Sequence, residues 1–341
     1  MEDLTDFRQL QELLASVLGE SSMSFADLVA QLQSGNFQGL GDSLGQMLLD
    51  WLKDGGMFHL SDYAGILLLV VLFAFMRAMG QAFENKSVTM FSGIVIHLLL
   101  IVRLAALFRT FLKQTQVYVE KEIEFAGALY PVIAVAAAAG GESLSAVGMY
   151  ASAISISSLV SRLCLYILLP GVTVYLVISM LDSLMTEALF SGLCGLLKKG
   201  MGLLMKISFA SVAGLQVIQM MILPRADSVR QQTLLKTASM IPGVGSVADT
   251  AATVLWESGS LLKGSIGVAG MFCLMVICLF PVLRISLAAA LYHAMSALAL
   301  PAADKSISIC LTGFAESLEY LVKITCLCGV ILLMTIAVAA W

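Results

Sequence analysis

The chain has 341 residues, of which 59% are hydrophobic and 12% charged, and its mean hydropathy is +0.94. Soluble domains carry about 25% charged residues, so this composition excludes a water-soluble globule of this size. A formal net charge of −4, with no basic run longer than the pair Lys198-Lys199, excludes a nucleic-acid binder.

Charge is unevenly spread. Residues 1–63 hold two basic side chains, Arg8 and Lys53, against ten acidic ones, a net of −8 that leaves +4 for residues 64–341. An acidic head therefore precedes a membrane body. Translocated segments are poor in Lys and Arg, which places the head outside the cytoplasm. The opening Met1-Glu2-Asp3-Leu4 lacks a basic region followed by an apolar run. Two arrangements stay open: the first span inserts the chain unaided, or Met1 stands where a leader has been cleaved.

The head reads as three short amphipathic helices. Leu4, Phe7, Leu10, Leu14 and Val17 recur every three or four residues, as do Phe25, Leu28, Val29 and Leu32. Ser24 and Asp27 suit the start of the second helix. A third runs through Phe37, Leu40, Leu44, Leu48 and Trp51, after the turn-forming Ser34-Gly35-Asn36. Such short helices need a partner surface, which suits a docking role for the head.

Long apolar runs begin at residue 64. A hydrocarbon core of about 30 Å asks for helices near 20 residues, and 64–83, 88–108, 162–181, 207–223, 266–283 and 324–341 all qualify. The shorter run 285–300 is expected to span as well. Segments 125–141 and 237–255 are apolar but interrupted by Pro and Gly, and a small-residue helix lies over 144–161. Charged, amphipathic stretches at 110–124 and 193–206 are expected to lie in the interface as connectors. The predicted fold is all-α: a polytopic α-helical membrane protein of six to nine membrane segments, some broken or re-entrant, with a small helical head.

Pro131 and Pro170 are separated by 39 residues, and so are Pro242 and Pro281, with an offset of 111. The order of elements around them is similar, which suggests a duplication over about 88–190 and 199–301 of the kind many transporters show. Irregular backbone inside a membrane persists only where protein or water satisfies it. Pro131, Gly140 and Gly141 in one half, with Pro242, Gly243, Gly245 and Asp249 in the other, are therefore the candidate pathway or broken-helix residues. The alternative is ordinary kinked helices packed through small residues.

Chemistry-bearing motifs are scarce. No phosphate-cradling G-x-x-x-x-G-K-[ST] loop and no H-E-x-x-H pair occur, and His59, His97 and His293 are scattered. The Gly243 to Ala248 stretch imitates a dinucleotide fingerprint without the strand that should precede it. The seven cysteines include no C-x-x-C pair and read as buried small apolar residues. No catalytic residue, metal site or cofactor is expected. Arg77 and Arg284 lie near span ends and can reach the headgroups. His97 and Arg103 sit deeper and are expected to face the protein interior, while Glu142 and Asp249 are candidate counter-charges. Small residues four apart, such as Ala210 and Gly214, or Gly148 and Ser152, suit close helix packing within one subunit or between copies in a homo-oligomer.

Three stretches carry a family likeness: Ser239 to Ser246 (SMIPGVGS), Leu261 to Gly270 (LLKGSIGVAG) and Ala290 to Pro301 (ALYHAMSALALP). With the acidic head and the order of spans, the chain resembles the stage III sporulation protein AE family over roughly residues 60–341. The resemblance implies a non-enzymatic membrane subunit, a pore or export platform, of a secretion-like channel between mother cell and forespore in endospore-forming bacteria. It implies a place in the mother-cell membrane around the forespore, in contact with lipid, and ring-forming proteins and a secretion-type ATPase as partners. The family supplies no agreed catalytic or binding residues, and its members usually begin with a cleavable leader, a pattern the opening residues do not show, so where the native chain begins stays open. A self-contained secondary transporter with duplicated halves is the alternative reading.

Overall fold

The computed structural model describes residues 8–18, 24–33, 45–46, 60–82, 86–139, 144–185, 189–238, 245–302 and 305–340. Among these residues the chain is helical almost throughout and has no strand. The helices are α1 (Arg8–Leu18), α2 (Phe25–Gln33), α3 (Leu60–Ala82), α4 (Lys86–Ala139), α5 (Leu144–Leu184), α6 (Ser191–Ala238), α7 (Gly245–Ala302) and α8 (Lys305–Ala340).

The first two head helices lie where their apolar stripes placed them. Leu10 and Leu14 of α1 are buried, as are Phe25, Leu28, Val29 and Leu32 of α2. α1 rests on α4 and α7, and α2 on α7, so the stripes are satisfied by the membrane body. The backbone N–H of Phe25 donates to Gln11 Oε1 at 2.9 Å, which ties the start of α2 to α1. Of the third expected helix, only residues 45–46 are described, and they are helical.

Among the described residues, five helices are long and apolar enough to cross a membrane: Phe91–Ala138, Val147–Leu184, Ser191–Met221, Leu261–Leu300 and Lys305–Ala340. A shorter apolar stretch, Tyr63–Met76, precedes them. The all-α polytopic expectation holds, but the five membrane-length helices among the described residues fall one short of the expected six to nine, which only the shorter stretch would make up, because elements read as separate are continuous. The connector 110–124 is the middle of the 54-residue α4, and 193–206 opens α6. Spans 266–283 and 285–300 are one helix, α7, which runs through Pro281. α4 likewise passes Pro131, and α5 passes Pro170. Each internal Pro forfeits one backbone hydrogen bond, a cost of about 3 kcal/mol that packing along a long helix can offset. At 1.5 Å per residue α4 measures about 80 Å, well beyond one hydrocarbon core.

α8 is the centre of the body. It pairs most extensively with α7 and also packs on α4, α5 and α6. Two of its glycines permit this crowding. A Cβ on Gly313 would overlap Ser179 Oγ of α5, and one on Gly329 would sit 2.7 Å from Cys278 Sγ of α7.

A candidate functional site: a polar seam along the central helix

α8 buries Leu311, Phe314, Leu318, Leu321, Ile324, Ile331 and Leu332, yet polar groups recur along it from end to end. At its start, Ser296 Oγ of α7 donates to the Ser308 carbonyl at 2.8 Å and lies 2.7 Å from Thr312 Oγ1. One turn on, Glu316 accepts a hydrogen bond from the Tyr175 hydroxyl of α5 and pairs with Lys198 of α6 at 2.9 Å. Lys198 also stands 5.4 Å from the centre of the Tyr175 ring. Glu319 meets His293 Nε2 of α7 at 3.0 Å and Lys323 at 3.3 Å. Four helices are thus joined around one ionic cluster, whose partly exposed pairs add little stability individually.

Further along, uncharged groups take over. Cys328 Sγ donates to the Ser161 carbonyl of α5 at 3.9 Å, and Cys278 Sγ to the Thr325 carbonyl at the same distance. Thr335 Oγ1 donates to the Ile331 carbonyl, and Ser157 Oγ of α5 and Gln216 Nε2 of α6 each lie 2.7 Å from it. Glu122 of α4 enters between these levels. It is fully buried, and Oε2 lies 3.8 Å from where a Gly329 Cβ would be, with Cys278 on the same side.

Apart from the weakly donating Cys278 thiol, neither oxygen of Glu122 has a hydrogen-bond partner among the described residues, and no basic side chain among them pairs with it. Thr115 Oγ1 and Gln216 Oε1 are buried without a partner among the described residues, and Ser161 Oγ has only the Cys328 thiol beside it. Nearly all buried polar atoms in folded proteins are satisfied, so a concentration of exceptions beside one stretch of α8 demands a reason. Ionisable groups within membrane helices characteristically mark pathways and relays. Closer to the other end of the body, buried Lys263 of α7 donates to the Tyr150 hydroxyl at 3.1 Å and lies 4.6 Å from its ring centre. The seam therefore offers hydroxyl, carboxyl and amide groups in succession through an otherwise apolar body. No three His, Cys, Asp or Glu side chains among the described residues come together as a metal site.

Of the residues singled out from sequence, Pro131 is exposed on α4, in unbroken helix. Gly245 is the first residue of α7, and Asp249 follows one turn later. Gly140, Gly141, Pro242 and Gly243 lie outside the described residues, as does Glu142. Leu129 of α4 packs on Gly270 of α7, so Pro131 sits far along α7 from Gly245. His97 faces the interior as expected, with Nε2 3.1 Å from Ser183 Oγ. Arg103 does not: it is exposed, and its guanidinium reaches across to Gly65 of α3.

Glu122 escaped the reading of the sequence because it stands among Glu120, Lys121 and Glu124, as a surface charge would. The signal was its spacing. Thr115, Val119, Glu122, Ala126, Leu129 and Ile133 recur every three or four residues, and all are buried to within 1%.

Fold and seam together define a polytopic α-helical membrane protein whose apolar core is threaded by a polar seam. Residues 23–341 match the model of the family described as stage III sporulation protein AE, and the chain belongs to that family. It is 20% identical over 280 residues to the stage III sporulation protein AE of Bacillus subtilis (strain 168), an alignment covering 80% of this chain and 70% of that one. No solved structure matches. The chain is accordingly a membrane protein of sporulation.

Proposed function

We propose that this protein is a non-enzymatic subunit, pore or export platform, of a secretion-like channel linking mother cell and forespore during endospore formation. It lies in the mother-cell membrane around the forespore, with its acidic head outside the cytoplasm, and it works with ring-forming proteins and a secretion-type ATPase. The observation that carries this reading is the seam: a sporulation-family membrane body strings its buried polar groups along one central helix. Membership of the family supports the sporulation setting.

The test uses the glycines near the start of α7. Gly243→Leu and Gly245→Leu are expected to leave insertion and abundance nearly intact while abolishing late forespore gene expression or assembly with partner subunits. Proteoliposomes holding the wild-type chain alone are expected to take up no solute. Uptake by the chain alone, lost in both variants, would replace the channel reading with that of a secondary transporter. Two variants silent in sporulation would remove these glycines from any pathway.

A further inference from the structure

A groove of about 620 Å³ lies between α4 and α5, and its two ends differ in chemistry. Phe108 of α4 and Ser179 of α5 reach the same part of α8, at Phe314 and Gly313, whereas Glu122 and Ser161 both meet α8 near Cys328 and Gly329. The two helices therefore run antiparallel. Glu120, Glu124 and Arg162 gather at one end of the groove, and Leu112, Pro170 and Val174 at the other.

The charges at the first end are sorted by sign. Glu120 and Glu124, one turn apart, stand on the α4 wall and Arg162 on the α5 wall, all three exposed. Glu120 accepts a hydrogen bond from Gln116 of its own helix, and among the described residues no ion pair joins Arg162 to either carboxylate. Pro170 has no N–H to offer the Tyr166 carbonyl four residues back, so a further acceptor remains beside the groove.

The rest of the groove is largely apolar. Arg162 and Val174 are about 18 Å apart along α5, with Leu165, Leu169 and Pro170 between them. That surface continues past the groove in Val177 and Leu181, which are exposed. On α4, Arg109, Lys113 and Lys121 face a second concavity, of about 550 Å³. A small soluble zwitterion would satisfy the charged end and leave the apolar length uncovered. A purely anionic lipid would meet two carboxylates against one guanidinium.

We propose that the groove between α4 and α5 binds an aminophospholipid, with its ammonium on Glu120 and Glu124, its phosphate on Arg162 and one acyl chain along Leu165, Leu169 and Val174. Charge-assisted hydrogen bonds are stronger than neutral ones, so the head sets selectivity, while the chain adds affinity through buried apolar area. The groove supplies both kinds of wall itself, so the fit requires neither a position for the bilayer nor the chain's place in a channel.

The purified chain, stripped of lipid in detergent, is titrated with phosphatidylethanolamine, phosphatidylglycerol and free phosphoethanolamine, and bound ligand is counted by native mass spectrometry. Phosphatidylethanolamine is expected to bind at least about tenfold more tightly than either of the others. Arg162→Gln, and Glu120→Gln combined with Glu124→Gln, should each weaken it about tenfold. Val174→Asp should weaken it as well, by opposing the acyl chain and not the head. All four side chains are exposed, so thermal midpoints should stay at the wild-type value. Any phosphatidylglycerol held by Arg109, Lys113 and Lys121 should be indifferent to these variants. Equal binding of the two lipids, or folded variants that bind as the wild type does, overturns the proposal. Phosphoethanolamine bound as tightly as the whole lipid also overturns it, in favour of a site for a soluble zwitterion.

Discussion

Glu122→Met is expected to give a protein that is more stable than the wild type and does not support sporulation. A fully buried carboxyl with only the weak Cys278 thiol as a donor costs stability. Leaving a buried polar group unsatisfied is worth about 1–3 kcal/mol, and an apolar side chain of similar length recovers part of it. Met suits the site because it is unbranched and adapts its shape to close neighbours such as Cys278 and Gly329. The loss of function follows if the buried polar atoms of Glu122, Ser161 and Gln216 serve what moves or switches along the seam. Thermal unfolding of the purified protein in detergent, with spore counts from the same allele, reads both effects. A lowered midpoint would mean that Glu122 holds the helices together. Full sporulation would mean that the seam is idle at this level. Glu122→Gln, which keeps a polar group of the same shape, is expected to fall between wild type and Met in stability.

Gly313→Leu is expected to lose most of the folded protein. Gly313 faces α5 so closely that even a methyl group would overlap Ser179, and it would stand 2.9 Å from Ser179 Cβ, which no rotamer can withdraw. The next turn of α8 holds Ser317, whose hydroxyl donates to the Gly313 carbonyl at 2.7 Å, and Glu316, which binds Tyr175. Forcing α5 outward breaks these contacts together, so the cost should reach or exceed the upper end of the about 1–3 kcal/mol typical of overpacked cores. Gly214→Leu is the control: nothing lies within 4 Å of a Cβ there, and abundance should be unchanged. The comparison is made on membrane abundance and on thermal midpoint. Equal behaviour of the two variants would show that the α5–α8 approach is not tight in the membrane.

Hydropathy and periodicity by themselves determined that this is a helical membrane protein, that an acidic head precedes its body, and that α1 and α2 bury Leu10, Leu14, Phe25 and Leu28, because transfer from water and helical spacing are local properties of the chain. His97 was legible for the same reason, as one polar group inside an apolar run. Tertiary structure decided the rest. Whether a helix stops at a charged stretch or at Pro131, Pro170 or Pro281 depends on what packs beside it, since neighbouring helices can offset a missing backbone bond and a solvated face tolerates charge. So 110–124 became the middle of α4, and 266–283 and 285–300 became the single helix α7. The sequence ranks no helix as central, yet α8 is, because Gly313 and Gly329 admit α5 and α7 at close range. Glu122 and Glu120 are two residues apart and alike in composition. Only the rotation of α4 against α7 and α8 sends one into the core and the other outward, and that rotation is set by the whole stripe from Thr115 to Ile133 acting together.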